Sequence, residues 1–127
     1  MSWQAYVDDS LVKSGFIDKA AIYCRTGDSV WAQSPDFQLK PQELKTIVAG
    51  FDNNYEILAS GMHVCGQKYL TIRADDRSIY GKWSQEGIVC VRTKLAILIG
   101  HYPAGIQVQQ ATGVVEKLAD YLIGLEF

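Results

Sequence analysis

Two periods of apolar residues run along this chain, one near 3.6 and one of 2, and together they mark its elements. Ser2 is a favourable helix cap. Trp3, Tyr6, Val7, Ser10 and Leu11 then share one helical stripe, which predicts a helix over about 3–12 that Ser14-Gly15 ends. Ala20, Ile22 and Cys24 alternate as one face of a strand. Thr26-Gly27-Asp28 turns the chain into a return strand over 29–33, where regular alternation puts Trp31 on the opposite face from Val30 and Ala32. Leu44, Ile47, Val48 and Phe51 predict a second helix, opened by Pro41 and favoured by Glu43 at its positive end. Asp52-Asn53-Asn54 reads as a polar loop and Ile57–Ala59 as a short strand. Met62–Cys65, Gly87–Arg92 and Leu95–Tyr102 supply further strands. From about Gln107, Ala111, Val114, Val115, Leu118, Ala119 and Leu122 form a long helical stripe, with Gly124 placed to end it.

Between these elements lies Gly66–Lys82. Tyr69-Leu70-Thr71-Ile72 suits a pleated strand, Ala74-Asp75-Asp76 breaks it, and Ser78-Ile79-Tyr80 resumes it. The hairpin carries Lys68, Arg73, Arg77 and Lys82, with two acids at its tip. Short strands flank it on both sides, so it is expected in the middle of the sheet. Connections this short allow tight turns only, so the sheet should be largely antiparallel. The order helix, hairpin, helix, strands, helix is an α+β layout, expected as one domain over 1–127.

Composition narrows the function. A net charge of −2 argues against nucleic-acid binding, which needs a strong basic footprint. No apolar run approaches a membrane span, and the N-terminus lacks signal-peptide regions. Cys24, Cys65 and Cys90 are odd in number and widely spaced, as expected of buried reduced thiols in a cytosolic protein. His63 and Cys65 alternate along a strand and could pair as thiol and imidazole, but no third orienting group is evident. His101 has no ligand-spaced partner, and no phosphate loop or dinucleotide fingerprint is present. No metal or cofactor is expected.

The aromatic residues say more. Trp3 and Tyr6 lie near one end of the chain, and Tyr121 and Phe127 near the other. Rings at both ends suggest that the terminal helices are neighbours, since chain ends fray unless docked. Their boundary would be an aromatic shelf, the kind of surface on which polyproline II segments pack. The same rings could instead be ordinary core.

Three stretches give this pattern a family. Met-Ser-Trp-Gln-Ala-Tyr-Val-Asp at the start resembles the N-terminal signature of profilins. Gly66–Tyr69 with Ile72–Lys82 resembles their central hairpin in the fungal, amoebal and plant form, and Val115–Gly124 resembles their C-terminal helix. The resemblance runs end to end in the expected order. It implies the profilin fold, with N- and C-terminal helices together on one side of an antiparallel sheet and smaller helices on the other. It implies a non-enzymatic, cytoplasmic, monomeric protein that binds monomeric actin, proline-rich proteins such as formins, and phosphatidylinositol bisphosphate at membrane surfaces.

Carried over residue by residue, the proline-binding set is Trp3, Tyr6, Trp31, Tyr121 and Phe127. The actin set is Lys68, Arg73, Arg77 and Lys82, with Thr112 and Lys117 on the last helix. The phosphoinositide set is Arg73, Arg77 and Lys82. Tyr121 stands where animal relatives have His, and Phe127 where many profilins end in Tyr, so one hydroxyl donor is missing. Lys68 and Arg73 have opposite parity and cannot both face out from one regular strand, although the turn beside Arg73 relaxes that constraint. Two other classes stay open: a small-ligand sensor domain of similar architecture, and an enzyme built on His63 and Cys65.

Overall fold

The computed structural model describes residues 2–127; Met1, the first residue of the N-terminal resemblance, lies outside them. Ser2 caps the first helix by accepting the Ala5 amide at 3.1 Å. This helix, α1, begins with an α turn (Trp3–Ala5), widens into a π-helical segment (Tyr6–Leu11) and tightens to a 3-10 turn (Val12–Ser14), ending at Gly15 with φ 86°. Strands β1 (Lys19–Cys24) and β2 (Val30–Gln33) follow, then α2 (Pro41–Asp52) and α3 (Asn54–Ser60). Next come β3 (Met62–Val64), β4 (Gln67–Ala74), β5 (Ser78–Trp83), β6 (Glu86–Arg92), β7 (Ala96–Tyr102) and α4 (Val108–Gly124).

All pairings are antiparallel, in one seven-stranded sheet of order β2-β1-β7-β6-β5-β4-β3. The β4–β5 hairpin is therefore not the middle of the sheet; β6 is. The reason is burial. Strands β6 and β7 are covered on both faces and read as nearly continuous apolar runs, whereas β4 alternates and exposes Leu70.

Two cores flank the sheet. On one face α1 and α4 pack on Ile22, Val89, Val91, Leu98 and Tyr102 through Val7, Leu11, Val115, Ala119 and Leu122. On the other, α2 and α3 cover Ile79, Ile88, Cys90, Ile97 and Ile99 with Ile47, Phe51 and Ile57. The terminal helices thus share one side and the smaller helices the other. Residues 57–59 are helical, not a strand. The Asn53 side chain accepts the Tyr55 amide at 3.1 Å and starts α3, so the polar stretch read as a loop is a helix cap. Of the three free cysteines only Cys90 is buried; Cys24 is half-buried and Cys65 exposed.

Two one-residue bulges interrupt the sheet. In β1–β2, Ile22 pairs with Ala32 and Tyr23 with Val30, which leaves Trp31 as the extra residue. In β4–β5, Thr71 pairs with Gly81 and Arg73 with Tyr80, which leaves Ile72 as the extra residue. A bulge shifts the side-chain alternation by one on its own strand only. Trp31 therefore packs against the same core as Ala32, contrary to simple alternation. Likewise Lys68, Leu70 and Arg73 come onto one face with Tyr80 and Lys82, the face that carries the terminal helices.

Candidate functional site

The aromatic shelf forms where α1, β2, α4 and the C-terminal tail meet. The Trp3 ring lies 4.7 Å from Trp31, 5.7 Å from Tyr6 and 5.6 Å from Phe127, by centroids. Tyr6 continues the row to Tyr121 at 6.3 Å. Tilted and edge-on pairs at these spacings are favourable aromatic geometry. All five rings named from the sequence are brought together. Their exposure is graded: Tyr6 is nearly buried, Trp3 and Trp31 are half-buried, and Tyr121 and Phe127 are exposed at 55% and 38%. Burial, and then the neighbouring Tyr121 phenol, hold the Tyr6 hydroxyl above its ordinary range.

Phe127 keeps its place because the tail is tied down. Its amide donates to the Leu122 carbonyl at 2.9 Å, and its own carbonyl accepts from the Leu95 amide at 2.6 Å and the Thr93 hydroxyl at 2.9 Å. Thr93 and Leu95 belong to the β6–β7 turn. Nothing in the sequence pattern pointed to this contact, because it joins segments more than thirty residues apart.

The cationic residues divide. Lys68 and Arg73 flank exposed Leu70, and Lys82 pairs across from it. Among the described residues neither Lys68 nor Lys82 has an acidic partner at salt-bridge distance. Arg73 is 57% exposed, holds Asp75 at 3.0 Å and sits 5.3 Å over the Tyr80 ring. Leu70 and Ile72, exposed at 66% and 50%, complete an apolar patch with a cationic rim. The sequence reading took both as ordinary strand residues.

Arg77 is different. Its guanidinium pairs with Glu116 at 3.0 Å and Asp120 at 2.8 Å. Glu116 also accepts from the buried Ser78 hydroxyl at 2.6 Å and from the Tyr80 hydroxyl. The charge of Arg77 is thus already balanced inside the fold, joining β5 to α4, and it does not stand with the free cations. The α4 residues also divide. Thr112 is one turn before Glu116 and shares its β5-facing flank. Lys117 instead lines a groove on the α1 side with Tyr6, Ser10 and Tyr121, apart from the hairpin cations.

Glu43 is a second residue whose role the sequence understated. Its buried carboxylate accepts the Lys40 amide at 2.8 Å, the Cys65 amide at 3.0 Å and the Gly66 amide at 2.7 Å. One side chain therefore starts α2 and fixes the turn that launches β4. Cys65 sits in that turn with φ 52°, beyond the end of β3, so it does not share a strand face with His63. Partial desolvation and then the Glu43 carboxylate push its thiol up, the wrong direction for a nucleophile. Among the described residues no cluster of His, Cys, Asp or Glu is arranged to hold a metal ion, and no helix is long and apolar enough to cross a membrane.

Helices on both faces of an antiparallel sheet, with a row of tilted and edge-on aromatic rings on the face of the terminal helices, define the class of this fold. Comparison with known proteins makes the class specific. The family model described as Profilin matches residues 1–127, and the chain belongs to the profilin family. Profilin of Saccharomyces cerevisiae is 54% identical over 127 residues, covering 100% of each chain. Physarum polycephalum profilin-A is 56% identical over 122 residues, covering 96% of each. The crystal structure of Schizosaccharomyces pombe profilin superposes with TM-score 0.96 at 53% identity, covering 99% of this chain and 100% of that one. Mouse profilin IIa, solved in complex with a double repeat from the FH1 domain of mDia1, shares the fold with TM-score 0.82 at 22% identity, covering 100% of both chains. The family is actin-binding and cytoskeletal, and its members are not enzymes.

Proposed function

We propose that this chain holds an actin monomer and a proline-rich segment on two separate surfaces, and so regulates filament assembly in the cytoplasm as a monomer. The observation that carries the reading is the convergence of Trp3, Tyr6, Trp31, Tyr121 and Phe127, from four separate stretches of chain, onto one shelf. Rings in this arrangement suit a polyproline II helix, which is preformed and loses little entropy on docking. Formin-type FH1 segments are the favoured partner class, in keeping with the ligand named for mouse profilin IIa.

The actin face is the bulged hairpin: Lys68, Arg73 and Lys82 around Leu70 and Ile72, with Thr112 at its α4 margin. An apolar centre with a cationic rim suits a partner that presents its own apolar patch ringed by acids. Lys117 and Arg77 fall outside it, the first by position and the second by its ion pairs. Strands β2 and β4 are five positions apart in the sheet, so the two surfaces are separated by roughly 24 Å at normal strand spacing. Both can be occupied at once. A phosphatidylinositol bisphosphate headgroup would meet Lys68, Arg73 and Lys82 and compete with actin, an effect measurable with vesicles of stated composition.

The test is peptide titration followed by Trp fluorescence, alongside actin sequestration. Trp3→Ala or Tyr121→Asp should weaken proline-peptide binding by about 2 kcal/mol and leave actin sequestration near normal. Wild-type peptide affinity in Trp3→Ala would end the shelf reading.

A further inference from the structure

The shelf does not stop at Tyr121. Tyr6 and Tyr121 also form the mouth of a groove between α1 and α4, with a volume of about 420 Å³, which Val114 and Leu118 floor and Ser10 and Lys117 flank. Its character changes along its length. The mouth is aromatic and continuous with the ring row, while the far part offers a hydroxyl and an ammonium. Among the described residues neither Ser10 nor Lys117 has a side-chain partner, whereas the other charges nearby are paired. Lys13 holds Asp9 at 3.0 Å, and Asp120 holds Arg77 at 2.8 Å. Lys117 is thus the unpaired charge of the groove.

We propose that this groove is a flanking subsite for the proline-rich segment. In it Lys117, with Ser10 beside it, receives a carboxylate-bearing residue just beyond the prolines that stack on Tyr121. The inference rests on the reading of the shelf as a proline site and adds a sequence preference to it. The spacing follows from two rises. Lys117 lies one helical turn, about 5.4 Å, from Tyr121 along α4. A polyproline II segment advances about 3.1 Å per residue, so the acid belongs about two positions past the last stacked proline. Continuity of the groove with the ring row selects a segment of the same peptide as its occupant. The unpaired ammonium selects the charge of that segment. Ring stacking alone accepts any proline run, so a charged flank would let the domain rank proline-rich tracts of equal length.

The experiment is a set of fluorescently labelled proline decamers. One is bare, and the others carry a Glu-Glu, Ala-Ala or Lys-Lys extension at the N- or the C-terminal end. Each is titrated with wild type, Lys117→Glu and Ser10→Ala at low and at 0.3 M salt. With wild type, Glu-Glu at one end should bind about three- to fivefold tighter than Ala-Ala at low salt, as expected of a partly exposed ion pair. Salt should shrink the gain. Lys117→Glu should invert the order so that Lys-Lys binds best, and Ser10→Ala should reduce the Glu-Glu gain. Equal binding of the three extensions at both ends, or a Glu preference that survives Lys117→Glu, would overturn the subsite while leaving the shelf standing. Failure of the bare decamer to bind would overturn the shelf reading and this inference with it.

Discussion

Removing the Glu116 carboxylate should loosen α4 from β5 by an amount the local geometry sets. Glu116 accepts from the Ser78 hydroxyl at 2.6 Å, from the Tyr80 hydroxyl and from the Arg77 guanidinium, with its side chain only 24% exposed. In Glu116→Ala these donors fare differently. Ser78 is 1% exposed and cannot reach water, so its orphaned hydroxyl costs about 1–3 kcal/mol. Tyr80 is half-buried and loses a charge-assisted bond, about 1 kcal/mol after partial hydration. Arg77 keeps Asp120, so its part is about 0–1 kcal/mol. The better helix propensity of Ala returns a few tenths of a kcal/mol. The expected loss is about 2–5 kcal/mol, a large share of the roughly 5–15 kcal/mol that holds a domain folded. Glu116→Gln keeps one carbonyl acceptor and should cost about half as much. The assay is urea unfolding followed by Trp fluorescence, with the denaturant slope checked for constancy. Ser78→Ala removes the orphan, so the double variant should be more stable than the sum of the two single losses by about 1 kcal/mol or more. A Glu116→Ala protein within 0.5 kcal/mol of wild type, or strict additivity with Ser78→Ala, would refute the network as a fastening.

Four further outcomes are expected. Arg73→Glu should be the most damaging single change for actin sequestration, since it repels both an acidic partner and its own neighbour Asp75, with Arg73→Lys intermediate and proline binding kept in both; normal sequestration by Arg73→Glu would remove the hairpin from the actin face. Deleting 125–127 should abolish proline binding, because it takes Phe127 from the shelf, while unfolding stays cooperative; loss of cooperative unfolding would show the tail to be core. Thr93→Val should weaken proline binding less than the deletion does, since the Leu95 amide still holds the Phe127 carbonyl at 2.6 Å; an effect as large as the deletion would show the hydroxyl to be the main tie. Burial first, then Glu86 for Tyr69 and Glu116 for Tyr80, push both phenols up to about 12. Their ordinary value is 10.0, so the unfolded chain releases these protons first; the share of stability that these two phenols contribute is constant below about pH 10 and lost between about 10 and 12, so urea midpoints should drop over that window, less steeply in Tyr80→Phe.

Much of this protein is written in local patterns. The stripe of α4 from Ala111 to Leu122, the α2 stripe and the apolar runs of β6 and β7 each report burial by period alone, and all were placed within a residue or two. Three short stretches sufficed to name the family, and the five rings of the shelf could be listed from it. Local pattern could not supply what depends on a partner strand or a distant segment. Alternation put Trp31 on the wrong face and set Lys68 against Arg73. In both places one extra residue, Trp31 or Ile72, leaves the pairing register, and register is a property of two strands at once. The same holds for charge. The family resemblance put Arg77 in the actin set beside the other hairpin cations, and added Thr112 and Lys117 from the last helix. Only the packing of α4 decided that Arg77 is neutralised by Glu116 and Asp120, and that Lys117 lines the groove beside α1. Residue type fixes what a side chain can do. Which neighbours compete for it is settled when elements far apart in the chain are brought into contact, and both proposed binding surfaces of this profilin lie where that happens.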